Sequence, residues 1–230
     1  MSSQIPLPFG KFDRFNFELF WPGSNQQVLA FLQQSLNHDH IANVYLWGED
    51  GTGKSHLLQA SCALAASRLK KVIYIPLTEK AQFAPDLLNG IESLDLVCID
   101  DVDEVVGDPE WELALFNLYN RMFALKNSLY LSACTSPAGL DINLPDLKSR
   151  LTAGVTWHLS NLDEKDKLLA LQLRAKSRGF ELSDEVIEYL SRRVARDMHS
   201  LFSWLDKLDQ ATLVSKKRIT VPFVRELLEE

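Results

Sequence analysis

The run Gly48-Glu49-Asp50-Gly51-Thr52-Gly53-Lys54-Ser55 constrains this chain more than any other. It satisfies the phosphate-binding pattern G-x-x-x-x-G-K-[ST] at each fixed position. Its context gives the pattern meaning. Val44-Tyr45-Leu46-Trp47 before it reads as a buried strand, and the apolar spacing of His56 to Ala65 after it reads as a helix. Gly51 and Gly53 let the backbone bend and aim its N–H groups at a phosphate. The helix opening near Lys54 turns its positive dipole end to the same anion. Lys54 adds a full charge, and the Ser55 hydroxyl suits Mg²⁺. Gly48, Asp50, Thr52 and His56 complete the predicted contact set.

A second run supplies the partner motif. Leu94 to Ile99 is an apolar strand ending in two carboxylates, Asp100 and Asp101. In phosphate-loop sites the first such carboxylate holds the Mg²⁺ shell, and the next orients an attacking water.

Strands are also expected at Val72–Ile75, Leu129–Cys134 and Val155–Leu159. Helices are expected from Ser24 or Asn25 to Leu36, over 80–92, over 111–126 and in a proline-opened turn at 144–151. Strands alternating with helices imply an α/β fold, a parallel sheet with helices on both faces. After about residue 160 the pattern is helical only. Asp163, Ser183 or Asp184, Asp197 and Thr220 stand at the expected starts. The organisation read from the chain is an arm at 1–11, a nucleotide-binding core at 12–160 and a helical lid at 161–230.

Net charge narrows the partners. At −7 the chain lacks the basic surface that broad nucleic-acid or membrane-surface binding needs. Cys62, Cys98 and Cys134 sit in apolar runs at wide spacing, which predicts buried thiols in a reducing compartment. No signal peptide or membrane-spanning run is read, so a cytoplasmic protein is expected. The arm Gln4-Ile5-Pro6-Leu7-Pro8-Phe9 is an extended, proline-spaced segment carrying three apolar side chains. It either docks on another protein or folds back onto its own domain.

These motifs, in this order, resemble an AAA+ module of the DnaA family. The resemblance rests on Phe12-Asp13-Arg14-Phe15, Gly23-Ser24-Asn25, Lys54-Ser55-His56-Leu57-Leu58, Ile99-Asp100-Asp101 and Leu147-Lys148-Ser149-Arg150. With the helix-turn-helix domain of the initiator not read after the lid, the chain is most similar to the Hda-type branch, DnaA homologues that switch the initiator off.

The resemblance implies a negative regulator of replication initiation, inactive as an enzyme on its own. It would carry ADP or another nucleoside diphosphate with Mg²⁺, the metal on Ser55 and Asp100. Gln4, Leu7 and Phe9 would bind the sliding clamp, the β subunit of DNA polymerase III, so DNA is reached only through the clamp. Arg150 would act as an arginine finger on ATP-bound DnaA. Asp101 stands at the position of a catalytic glutamate, one methylene shorter, so any intrinsic hydrolysis should be weak. Cys134 and His199 replace the residues that sense a γ-phosphate; His199 reads equally well as a capping histidine. Phe20 or Trp21 would rest against the base. Self-association into a homodimer that hides Arg150 is open. The rival readings are an autonomous ring-forming ATPase and a fragment of a DNA-binding initiator.

Overall fold

In a computed structural model, residues 15–37, 42–193, 197–215 and 219–229 are described. The arm residues Gln4, Leu7 and Phe9 lie outside them.

Five short strands form one sheet: β1 (Asn43–Trp47), β2 (Val72–Pro76), β3 (Leu96–Asp100), β4 (Ser128–Ala133) and β5 (Val155–His158). All pairings are parallel, in the order β2-β3-β4-β1-β5. Residue alternation sends the two faces to two cores. Val44, Leu46, Cys98 and Tyr130 pack with α1 (Gln26–Asn37) and α2 (Lys54–Ser67) through Leu32, Leu57 and Leu58. Tyr45, Val97, Ile99, Leu129 and Leu131 pack with α3 (Pro109–Leu125) and α4 (Pro145–Ala153) through Leu118, Met122, Leu147 and Leu151. Both faces are thus covered, as a parallel sheet requires. The order also has a consequence for chemistry. β4 lies between β1 and β3, so the glycine loop after β1 and the carboxylates ending β3 flank the same strand end.

Three local expectations need correction. The segment 80–92 is not an α-helix but three 3₁₀ turns, Leu77–Gln82, Pro85–Leu88 and Ile91–Ser93. Pro85 opens one of them, and Gly90, at φ 88°, separates the last two. Asn25 does not cap α1. It is buried, and its amide exchanges two 2.9 Å bonds with the backbone of Ser160, donating to the carbonyl and accepting from the N–H. Cys62 and Cys98 are buried thiols, whereas Cys134 is only half-buried.

The chain divides into two compact units, and residues 21–23 go with the second, not with the core. That unit contains α5 (Glu164–Ser177), α6 (Asp184–Arg193), α7 (Met198–Ser215) and α8 (Val221–Glu229). Leu171, Val186, Leu190, Leu205, Leu208 and Val224 form its core, with Trp21 against it. The Trp21 indole N–H donates to Asp166 at 2.9 Å. Asp163 caps α5 by accepting the Asp166 N–H, and Asp197 caps α7 by accepting the Ser200 N–H.

One buried charge fixes the approach to α4. Glu112 on α3 is 1% exposed. Its carboxylate accepts the N–H groups of Gly107 at 2.9 Å, Asn143 at 3.1 Å and Leu144 at 2.8 Å. It therefore ties two loops at the point where α4 begins. Replacing Glu112 by Ala leaves three amides unsatisfied and should destabilise the fold by about 3 kcal/mol or more. Urea unfolding of Glu112→Ala against the parent measures this; a loss within experimental scatter contradicts the role.

Candidate functional site

The loop between β1 and α2 has the backbone of a phosphate cradle. Gly51 and Gly53 stand at φ 80° and 95°, conformations that side chains rarely adopt. Gly53 also has no room for a side chain, because a Cβ would lie 2.6 Å from the ring of Phe20. At Gly48 a Cβ would lie 2.4 Å from the Leu159 carbonyl oxygen. The first turn of α2 then presents amides that no helical carbonyl reaches. Ser55 and His56 follow Lys54 in this turn.

Lys54 is 5% exposed. Its ammonium donates to the carbonyls of Gly48 at 2.6 Å and Glu49 at 3.0 Å. An ammonium has three donors, and these bonds use two. Thr52 is buried and braces the loop by donating its hydroxyl to the Glu49 carbonyl at 2.8 Å.

Asp100 ends β3 with 1% exposure. The Tyr74 hydroxyl on β2 donates to its Oδ2 at 2.5 Å, and the Ser132 hydroxyl on β4 donates to its Oδ1. Ser132 also accepts the Asp101 N–H at 3.0 Å. Asp101 itself has φ 56° and ψ 54°, a left-handed conformation uncommon outside glycine, asparagine and aspartate. Burial, then the charges of Asp100 and Asp103, push its carboxyl up to about 6, against the pull of Lys54.

Cys134 comes directly after β4. Its Sγ–H donates to Asp50 Oδ1 at 3.4 Å, and its N–H donates to Asp103 Oδ2 at 3.2 Å. Burial and the neighbouring Asp103 push this thiol up to about 12. The loop, the two-carboxylate motif and Cys134 therefore meet at the C-terminal ends of β1, β3 and β4. This is where ligands bind open α/β sheets.

Phe20 and His56 border the loop, and the other expected site residues lie on α4 or in the second unit. The His56 ring donates from Nε2 to the Asn16 carbonyl at 2.8 Å and stands edge-on to Phe15 and Phe20. It anchors the aromatic segment, leaving its backbone amide for the loop. Phe20 is buried against Gly53. Trp21 and an exposed His199, second residue of α7, belong to the second unit. Arg150 is exposed on α4. Tyr74, Ser132 and Asp103 were not singled out from the sequence. Only strand register reveals the first two; Asp103, two residues after the carboxylate pair, was a readable signal.

The chemistry of these groups fits a nucleotide with Mg²⁺. The amide cradle and Lys54 suit a polyphosphate. Ser55 and Asp100 offer two oxygen ligands, and the Asp100 carboxylate keeps acceptor capacity beyond its two hydroxyl bonds. Among the described residues no group of three or more His, Cys, Asp or Glu could hold a metal ion alone.

The raised Asp101 carboxyl has a pH consequence. A carboxyl held above its ordinary value binds its proton more tightly when folded. Its ionisation therefore costs stability as pH rises from about 4 to 6, and the full cost persists above 6. Asp101→Asn, which tolerates the same backbone conformation, should stabilise the protein by about 1–2 kcal/mol at pH 7.5. The gain should vanish near pH 4. Thermal melts of both proteins across this range test it, and a pH-independent difference contradicts it.

Comparison with known proteins agrees with this geometry. Residues 12–158 match the bacterial DnaA ATPase domain model, and residues 164–228 match the model of the Hda lid domain. A replication initiator DnaA bound to AMPPCP and single-stranded DNA superposes with a TM-score of 0.70 at 26% identity, covering 85% of this chain. AMPPCP-bound DnaA from Aquifex aeolicus gives 0.71 at 26% identity and 85% coverage. This chain spans 64% of the length of each. Domain III of DnaA from Thermotoga maritima shares the fold at TM-score 0.77 and 20% identity, with 96% of this chain and 95% of that domain covered. Among the described residues no helix is long and apolar enough to cross a membrane. The chain belongs to the bacterial DnaA ATPase family of AAA+ proteins, with a lid domain of the Hda type.

Proposed function

We propose that this chain is a negative regulator of replication initiation that activates ATP hydrolysis in a neighbouring DnaA molecule. The observation that carries the reading is Arg150. It is exposed on α4 and makes no hydrogen bond or ion pair among the described residues. The helix that displays it starts at the loop gripped by Glu112. A guanidinium exposed on a helix whose start is anchored, with no side-chain partner among the described residues, suits insertion beside a transferring phosphoryl group. There its charge and donors stabilise the transition state, an effect of about 10³–10⁵-fold in other phosphate-loop systems.

In this reading the chain's own loop binds a nucleoside diphosphate. Gly51 to Ser55 bind its phosphates, Lys54 neutralises them, and Ser55 and Asp100 hold Mg²⁺. The bound group supplies charge balance and a fixed loop; it is not turned over at a useful rate. Asp101 is short for a catalytic base and its carboxyl is held up by burial. Cys134 offers a weak donor where a γ-phosphate would be sensed. The arm then brings the protein to its target, with Gln4 anchoring and Leu7 and Phe9 filling apolar pockets of the sliding clamp. Two of the similar DnaA structures hold AMPPCP, which supports nucleotide binding by this relative.

Arg150→Ala should keep the parent's melting temperature and nucleotide affinity, since the side chain is exposed. Stimulation of DnaA hydrolysis should fall by at least 100-fold in a phosphate-release assay. Stimulation that survives the substitution removes Arg150 from the mechanism. Gln4→Ala should abolish retention on immobilised clamp while thermal stability stays unchanged. Retention equal to the parent's would assign docking to another segment.

A further inference from the structure

The loop carries an acidic side chain where a third phosphate would need room. Phosphate-loop lysines serve the β- and γ-phosphates, and the terminal group points toward the carboxylate that follows the Mg²⁺-binding one. Here that direction is from Lys54 toward Asp101. The ground is already negative. Asp50, Asp100 and Asp103 all act on Asp101 as repelling charges, and Lys54 is the cation opposing them. Asp50 belongs to the loop itself, and the Cys134 Sγ–H donates to its Oδ1 at 3.4 Å. Cys134 is in turn fixed by its N–H to Asp103. This bond places the exposed loop carboxylate beside the end of β4.

We propose that Asp50, positioned by Cys134, sets the nucleotide preference of this site by excluding a terminal γ-phosphate, so that a nucleoside diphosphate binds in preference to the triphosphate. The inference rests on the reading of the loop as a nucleotide site. The β-phosphate occupies the amide cradle and is served by Lys54 in either nucleotide. The γ-phosphoryl adds negative charge beside Asp50, and the carboxylate competes with it for the same cation. Asp50 offers that group no donor, because an ionised carboxylate only accepts. Cys134 offers a single thiol proton, already engaged by the carboxylates of Asp103 and Asp50.

The test is equilibrium titration of the nucleotide-stripped full chain with ADP and with AMPPCP, both with Mg²⁺, read by calorimetry. The parent should bind ADP at least 10-fold more tightly than AMPPCP. Asp50→Asn should narrow that ratio about 5–10-fold, through tighter AMPPCP binding with ADP affinity nearly unchanged. Cys134→Ala, which removes the tether but leaves the charge, should narrow it about 2–3-fold. Asp146→Asn, an equal change of charge on α4, should keep the parent ratio. An unchanged ratio in Asp50→Asn, or a parent that binds both ligands alike, overturns the proposal while leaving the nucleotide site intact. A parent that binds neither overturns the site itself.

Discussion

The carboxylate of Asp100 ties three adjacent strands at their functional end. Tyr74 on β2 and Ser132 on β4 each donate a hydroxyl proton to it, one to each oxygen. A carboxylate buried to 1% exposure is costly unless its oxygens are satisfied. These two bonds remove much of that cost and orient the group at once. They also bring the neighbouring backbone to order, because the same Ser132 hydroxyl accepts the Asp101 N–H. The left-handed turn at Asp101 follows from that hold, and it redirects the chain so that Asp103 can receive the Cys134 N–H. Loss of the Asp100 network would therefore loosen the end of β3, the second carboxylate and the end of β4 together.

The opposite wall of the site depends on steric exclusion more than on charge. Gly53 and Gly48 sit where any side chain would collide with Phe20 or with the Leu159 backbone. Phe20 in turn packs with His56, whose ring bonds to Asn16. The aromatic segment before α1 thus acts as a support beneath the loop. The imidazole next to the loop takes part in this packing.

Much of this was legible in the chain itself. Glycine spacing, a flanking strand and a flanking helix identify the loop without reference to any fold. The apolar run ending in Asp100 and Asp101 identifies the second motif, and the strands have β-branched and aromatic composition, although β5 at the sheet edge is largely exposed. Other features depend on contacts between residues far apart in sequence. Tyr74 and Ser132 are ordinary strand residues until register sets them beside Asp100. Glu112 reads as one more polar position on an amphipathic helix, yet its carboxylate closes two loops. Trp21 follows Phe20 directly, but the chain leaves the core between them and the indole bonds to Asp166 in the other unit. The stretch 80–92 carries helix-favouring residues, and Pro85 and Gly90 break it into turns too short for an amphipathic pattern to reveal.

Together these features describe a site suited to hold a nucleotide; that it holds one more than it consumes one, with Arg150 as the group offered to a partner, is our proposal. The most direct measurement is the identity of the nucleotide that the purified protein carries, joined to its turnover of ATP alone. Denaturation, chromatography and mass spectrometry give the first, and phosphate release across a range of protein concentrations gives the second. A retained diphosphate with negligible turnover at every concentration is the predicted result. Bound ATP, with turnover that climbs steeply as the protein is concentrated, would contradict the account and mark the chain as an ATPase in its own right.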